Sequence, residues 1–142
     1  MDIVTDSKFL LLCVLALVFI GVGHIFQGHI QEPLKKTLIS IGYIRLDWWS
    51  VTHYLFFSIL GYWYPNRFVF FLLFGIVWEL TEDLLAKDSD TQLVDCEQKG
   101  RGGFVDFWCN GYQDDYWYGK IDDVLMNMLG YVTGWGIHTI MN

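Results

Sequence analysis

Three carboxylates close an otherwise apolar run. Phe68–Val77 carries no charge, and Glu79, Glu82 and Asp83 follow within five residues. A second polar group, Asp122, Asp123 and Asn127, opens the apolar run Ile121–Met141. His53 lies near the start of a third, Trp48–Tyr64. Carboxylates with an amide carbonyl are hard oxygen donors, suited to Ca²⁺, with Mg²⁺ or Mn²⁺ as alternatives. An imidazole beside them reads three ways: metal ligand, general base, or an interface histidine with neither role. The competing reading of the acids is solvated helix ends. The helix dipole favours Asp122 and Asp123 at an N-terminus, but not Glu79, Glu82 and Asp83 at a C-terminus, which favours a special role for the latter.

The elements that must carry these residues are membrane-like. The chain has 142 residues, 54% hydrophobic and 18% aromatic, with positive mean hydropathy. That composition points to a single all-α integral membrane domain, 1–142. A net charge of −7 excludes nucleic acid as a partner, because nucleic acid needs a basic face. No CxxC, HExxH, GxSxG or P-loop pattern occurs, which leaves zinc, nucleophile-elbow and nucleotide chemistry without support.

Four spans are predicted, at about 9–30, 48–64, 68–86 and 121–141, with an extramembrane loop at 87–120. The first is a 22-residue uncharged stretch, about 33 Å as a helix, enough to cross a bilayer core. A secretory signal is its rival, disfavoured by a leading MDIVTDSK that is not basic and by the lack of an A-x-A site. Aromatic ends flank the second span, and Pro65-Asn66 predicts a tight turn before the third. Lys35, Lys36 and Arg45 weigh slightly toward a cytoplasmic 31–47 loop. A disulfide between Cys96 and Cys109, which bracket a Gly-rich stretch, would weigh the other way; two free thiols are the alternative. Membrane orientation therefore stays open.

Alternating spans bring the polar residues to one level. The end of span three and the starts of spans two and four share one membrane face. His53, Glu79, Glu82, Asp83, Asp122, Asp123 and Asn127 then lie roughly 5–10 Å inside one interface. Gly75, Glu79, Glu82 and Ala86 form one helical stripe; Asp123, Asn127, Gly130 and Gly134 form another. Acids at such depth normally face a bundle interior with a partner, and Lys120 and Lys87 stand at the rim.

The ordered set DWWSVTH (47–53), Arg67, WELTE (78–82) and IDDVLMNMLGYVTG (121–134) resembles the core of the base-exchange phosphatidylserine synthases. More loosely, Asp123, Asn127, Gly130 and Gly134 fit a pattern of small membrane families related to VanZ. The first resemblance covers about residues 47–137. It implies Ca²⁺-dependent exchange of a phospholipid head group for serine, in an endoplasmic-reticulum-type or other internal membrane. It implies catalytic roles for His53, Glu79 and Asp122. The expected cation ligands are Glu79, Glu82, Asp83, Asp122, Asp123 and Asn127, and Arg67 and Lys120 are expected to bind substrate. The expected partners are phospholipid, serine and the membrane, with a second copy or a partner subunit as a further expectation. The alternative is a non-catalytic lipid- or cation-binding membrane subunit on the same scaffold, favoured by the short chain.

Overall fold

A computed structural model describes residues 3–41, 44–88, 92–93, 112–113 and 119–142. The fold is mostly helical. After a short 3₁₀ turn at Ile3–Thr5 come α1 (Ser7–Ile25), α2 (Gln27–Leu34), the strands β1 (Thr37–Ile41) and β2 (Ile44–Asp47), α3 (Trp48–Trp63) and α4 (Phe68–Asp88). Two-residue strands β3 (Gln92–Leu93) and β4 (Tyr112–Gln113) precede α5 (Ile121–Met141).

The termini of these helices follow local chemistry. Asp6 caps α1, its carboxylate accepting from Lys8 N at 2.8 Å. Asp47 and Ser50 form a reciprocal capping box on α3. The predicted turn at Pro65-Asn66 is present, with Asn66 at φ 66°, a left-handed conformation that asparagine tolerates better than most residues. The first predicted span is interrupted: α1 ends at Ile25, Phe26 leaves helical geometry, and α2 starts afresh. The predicted 31–47 loop is a helix end plus an antiparallel hairpin.

Among the described residues, α1 alone is long and apolar enough to cross a bilayer by length and composition; a signal sequence passes the same test. On those grounds one of the four expected spans is supported among the described residues. The 16 residues of α3 are too few. The 21 residues of α4 include the acidic end, and α5 is diluted by Asp122, Asp123, Asn127 and His138.

The long helices alternate in direction. Phe9, near the start of α1, meets Tyr64 and Phe71, while Phe19, further along, meets Trp49 at the start of α3. An aromatic cluster closes the end opposite the acids: Phe9, Leu12, Phe57, Leu60, Phe71 and Tyr131 are buried together. Helices α3 and α5 touch through their backbones. A side chain at Gly61 would strike Tyr131 O, one at Gly130 would strike Tyr54 O, and one at Gly134 would strike Ser58 O. Small residues in register permit this approach.

Tyr131 also fastens the α3–α4 turn. Its hydroxyl donates to Tyr64 O at 2.6 Å and accepts from Arg67 N at 2.8 Å. Tyr131→Phe removes both bonds and strands two backbone groups. It should cost about 1–3 kcal/mol in a thermal or denaturant melt while leaving cation binding intact.

Candidate metal centre

The centre forms where α3, α4 and α5 meet at the end of the molecule away from the aromatic cluster. His53 lies on the second turn of α3, and Glu79 and Glu82 lie on one side of α4. One ligand-capable atom from each falls within 4.8 Å of the others. His53 Nδ1 is 3.6 Å from Glu79 Oε1 and 3.1 Å from Asn127 Oδ1. An amide oxygen only accepts, so with Oδ1 as its neighbour a ring protonated on Nδ1 would donate to Asn127 and leave the lone pair on Nε2.

Glu79 is fully buried, and its two oxygens differ. Oε2 accepts from Lys120 N at 2.9 Å. Oε1 is buried without a hydrogen-bond partner among the described residues, as is Asn127 Nδ2. Buried polar atoms are nearly always satisfied, and a carboxylate oxygen left bare is expensive. A cation near Oε1 removes that cost, so the donor set fits a hard divalent ion. Two carboxylates and an amide oxygen within reach suit Ca²⁺, Mg²⁺ or Mn²⁺, with the imidazole beside them.

Gly119 makes the Lys120 contact possible. A Cβ there would meet Glu79 O at 2.5 Å and Asp83 Cβ at 3.4 Å, so the segment entering α5 lies directly on α4. Asn127 packs similarly over Gly75, whose added Cβ would lie 2.8 Å from Nδ2.

A second polar layer stands beside the first. Asp47 Oδ2 accepts from Lys120 Nζ at 2.6 Å, and Asp123 Oδ2 is 3.9 Å from the same ammonium. Ser50 Oγ donates to Asp123 Oδ1 at 2.6 Å. Burial works against the Lys120 charge, but the carboxylates of Asp123 and Asp47, the Asp47 hydrogen bond and Asp122 outweigh it and hold its pKa above the usual lysine value. A folded pKa above the unfolded one means the pair stabilises the fold at neutral pH. That contribution fades as pH rises past the unfolded value of about 10.4 and through the folded one. Lys120→Met should lower stability at pH 7 and flatten this alkaline limb in melts taken between neutral and strongly alkaline pH.

The expected site residues therefore divide. The structure brings His53, Glu79, Glu82 and Asn127 together. Asp123 and Lys120 belong to the adjoining layer, where the Lys120 ammonium is engaged by Asp47 and does not point to a substrate role. Asp122, expected to share catalysis with His53 and Glu79, faces the hairpin instead, accepting from Arg45 N at 3.1 Å, and does not join the His53–Glu79–Glu82 group. Asp83 does not join that group either, and its Cβ lies beside Gly119. Arg67 lies in the α3–α4 turn, twelve residues before Glu79 and so about 18 Å away along α4. It stands apart from the His53–Glu79–Glu82 group, whereas Lys120 lies beside that group through its N–H to Glu79. Cys96 and Cys109 lie outside the described residues.

Asp47 and Ser50 were not singled out from sequence as site residues. The D-x-x-S spacing before an apolar run marks them as a helix cap, and their second task, holding Lys120 and Asp123, depends on a helix 73 residues away. No family model, curated protein or solved structure matches the chain.

Proposed function

We propose that the chain is an integral membrane protein of about four spans that exchanges a phospholipid head group for serine at a cation site near one interface. The observation that carries this reading is the bare, buried Glu79 Oε1 facing His53 and Glu82. Support for the membrane comes from an inverted distribution of polarity. Gln31, Asp47, Ser50, Glu79, Asp122, Asp123 and Asn127 are buried, whereas Leu55, Val69, Leu73, Val77, Leu84, Leu129, Val132 and Ile140 are exposed. Such a surface suits lipid, and such an interior is where intramembrane acids are found. Helix α3 is short for a span, but its ends carry Trp48, Trp49 and Trp63, which suit the interface.

Glu79 and Glu82 would hold the cation, and Asn127 Oδ1 lies near enough to contribute. A bound Ca²⁺ supplies positive charge against the lipid phosphate. His53, oriented by Asn127 through Nδ1, takes the serine hydroxyl proton on Nε2. The serine oxygen forms its bond to phosphorus as the bond from phosphorus to the original head-group oxygen breaks. The protonated imidazole returns the proton to that departing alcohol. One phosphodiester replaces another, so no nucleotide is needed, in line with the lack of a P-loop.

The test is incorporation of labelled serine into phospholipid by the purified chain in mixed micelles, with Ca²⁺ and then with chelator. Ca²⁺-dependent incorporation that His53→Ala abolishes supports the enzyme. No incorporation by a folded sample that still binds Ca²⁺ overturns it in favour of a cation-binding membrane subunit.

A further inference from the structure

The hairpin between α2 and α3 has one apolar face that the described residues cover only at its root, where Leu46 is half-buried. Ile39 lies opposite Leu46, Ser40 opposite Arg45, and Ile41 opposite Ile44. Residues paired across strands share a face, as do residues two apart on one strand. Ile39, Ile41, Ile44 and Leu46 therefore form one face, and Ser40 and Arg45 lie on the other. Every residue of β1 is exposed, and Ile41 reaches 70%. Exposure falls toward the root, where Asp47 is buried and Arg45 N is held by Asp122. A two-stranded hairpin is marginal in water alone, and four aliphatic side chains on one side need an apolar phase.

Two observations identify that phase. The hairpin stands at the end of the molecule where α1 finishes, since Phe19 meets Trp49 and β2 runs directly into α3. Among the described residues α1 is the helix that length and composition fit to cross a bilayer, and its exposed side chains continue to this end through Val18, Val22, Ile25 and Phe26. The second observation is charge. In a chain of net charge −7, three of the nine basic residues, Lys35, Lys36 and Arg45, fall within this short segment. Basic residues beside an aliphatic face are the pattern of an element lying in an anionic lipid interface.

We infer that the hairpin is an interfacial foot. Its Ile39, Ile41, Ile44 and Leu46 face lies among the head groups of the bilayer that α1 crosses, and Lys35, Lys36 and Arg45 give it a preference for anionic phospholipid. The inference requires α1 to be in a bilayer and does not require the cation site.

The experiment uses the full chain with Cys13, Cys96 and Cys109 replaced by serine and a fluorescent label on Ile41→Cys. It is reconstituted in phosphatidylcholine vesicles with and without phosphatidylglycerol, and a second sample is labelled at Val14→Cys. The expected result is quenching of the Val14 label by nitroxides deep in the bilayer. The Ile41 label should be quenched by nitroxides just below the head groups and shielded from aqueous iodide, more strongly with phosphatidylglycerol. Lys36→Gln should weaken that anionic preference about fivefold. An Ile41 label open to iodide while Val14 is in lipid overturns the foot. So does a label shielded from both quenchers in a way that dilution reverses, which identifies a second copy as the cover. A Val14 label untouched by deep nitroxides removes the premise and the inference with it. If the cysteine-free chain fails to fold, amide exchange of residues 37–47 in the unaltered chain decides. Slower exchange in phosphatidylglycerol bilayers than in pure phosphatidylcholine supports the foot, and equal exchange overturns it.

Discussion

Glu79→Gln should abolish the stabilisation of the folded chain by Ca²⁺ and, at the same time, raise the stability of the cation-free protein. The two effects have one cause. Glu79 is fully buried, with Lys120 N on one oxygen and, among the described residues, no hydrogen bond on the other. Without a cation the carboxylate is desolvated and only partly compensated. A glutamine has the same shape, keeps an acceptor for Lys120 N–H, and carries no charge. Replacing buried ionic groups with neutral ones of similar volume is often neutral or stabilising, so a gain of about 1–3 kcal/mol is expected in chelator. Cation binding loses a charged ligand, and apparent affinity should fall by roughly a hundredfold or more. Thermal melts of both proteins in detergent, with Ca²⁺ and with chelator, read both quantities. A variant several kcal/mol less stable in chelator would make Glu79 a partner in a structural ion pair with His53, and the cation site would fail. His53 Nδ1 and Glu79 Oε1, 3.6 Å apart, are the atoms of that pair.

Gly134→Ala should be the most damaging small substitution in the bundle. The added methyl would be driven into Ser58 O, with Ser58 C at 2.7 Å and Tyr62 N at 2.9 Å behind it. These are backbone atoms of α3, so no side-chain rotation relieves the clash and the helices must part. Overpacking of this kind costs about 3 kcal/mol or more. Separation of α3 from α5 also pulls His53 from Asn127, now 3.1 Å apart, so Ca²⁺ affinity should fall with stability. Gly136, one half-turn on, is the internal control. A Cβ there meets nothing within 4 Å. Gly136→Ala should stabilise the helix by about 0.5–1 kcal/mol through backbone entropy. Melts of the pair, run side by side, separate a packing requirement at Gly134 from a general intolerance of α5. Equal behaviour of the two variants would show that α3 and α5 do not approach as closely as described.

Much of the candidate centre is legible in the sequence because helical spacing is a strong constraint. Gly75, Glu79 and Ala86 recur on one stripe of α4, and all three are buried. Asp123, Asn127, Gly130 and Gly134 recur on α5, and all four are buried as well. Alternation of helix direction then brings His53 to the level of both stripes. The Pro65-Asn66 turn is equally local, since proline and a left-handed asparagine specify it within a few residues.

The hairpin was not legible in the same way. Alternation in Thr37–Ile41 and Ile44–Asp47 is short, and strand pairing depends on the second strand as much as on the first. The break at Phe26 was hidden because an uncharged run of 22 residues reads as one helix whether or not its backbone continues.

What the sequence by itself determined is the level and the inward face of the polar residues, because a period near 3.6 and an apolar flank are written into residue order. What only the tertiary structure decided is which acid meets which partner. Asp122 and Asp123 are neighbours in sequence, yet successive residues of a helix diverge by about 100°. One therefore accepts from Arg45 N in the hairpin while the other takes Ser50 and approaches Lys120. Lys120 is a rim cation in the sequence, but Asp47, at the junction of β2 and α3, claims its ammonium, and its backbone N–H orients Glu79. Hydrogen-bond partners are chosen over distances of a few ångströms by rotations and loop paths that no spacing rule records, and that choice leaves Glu79 Oε1 bare toward His53 and Glu82.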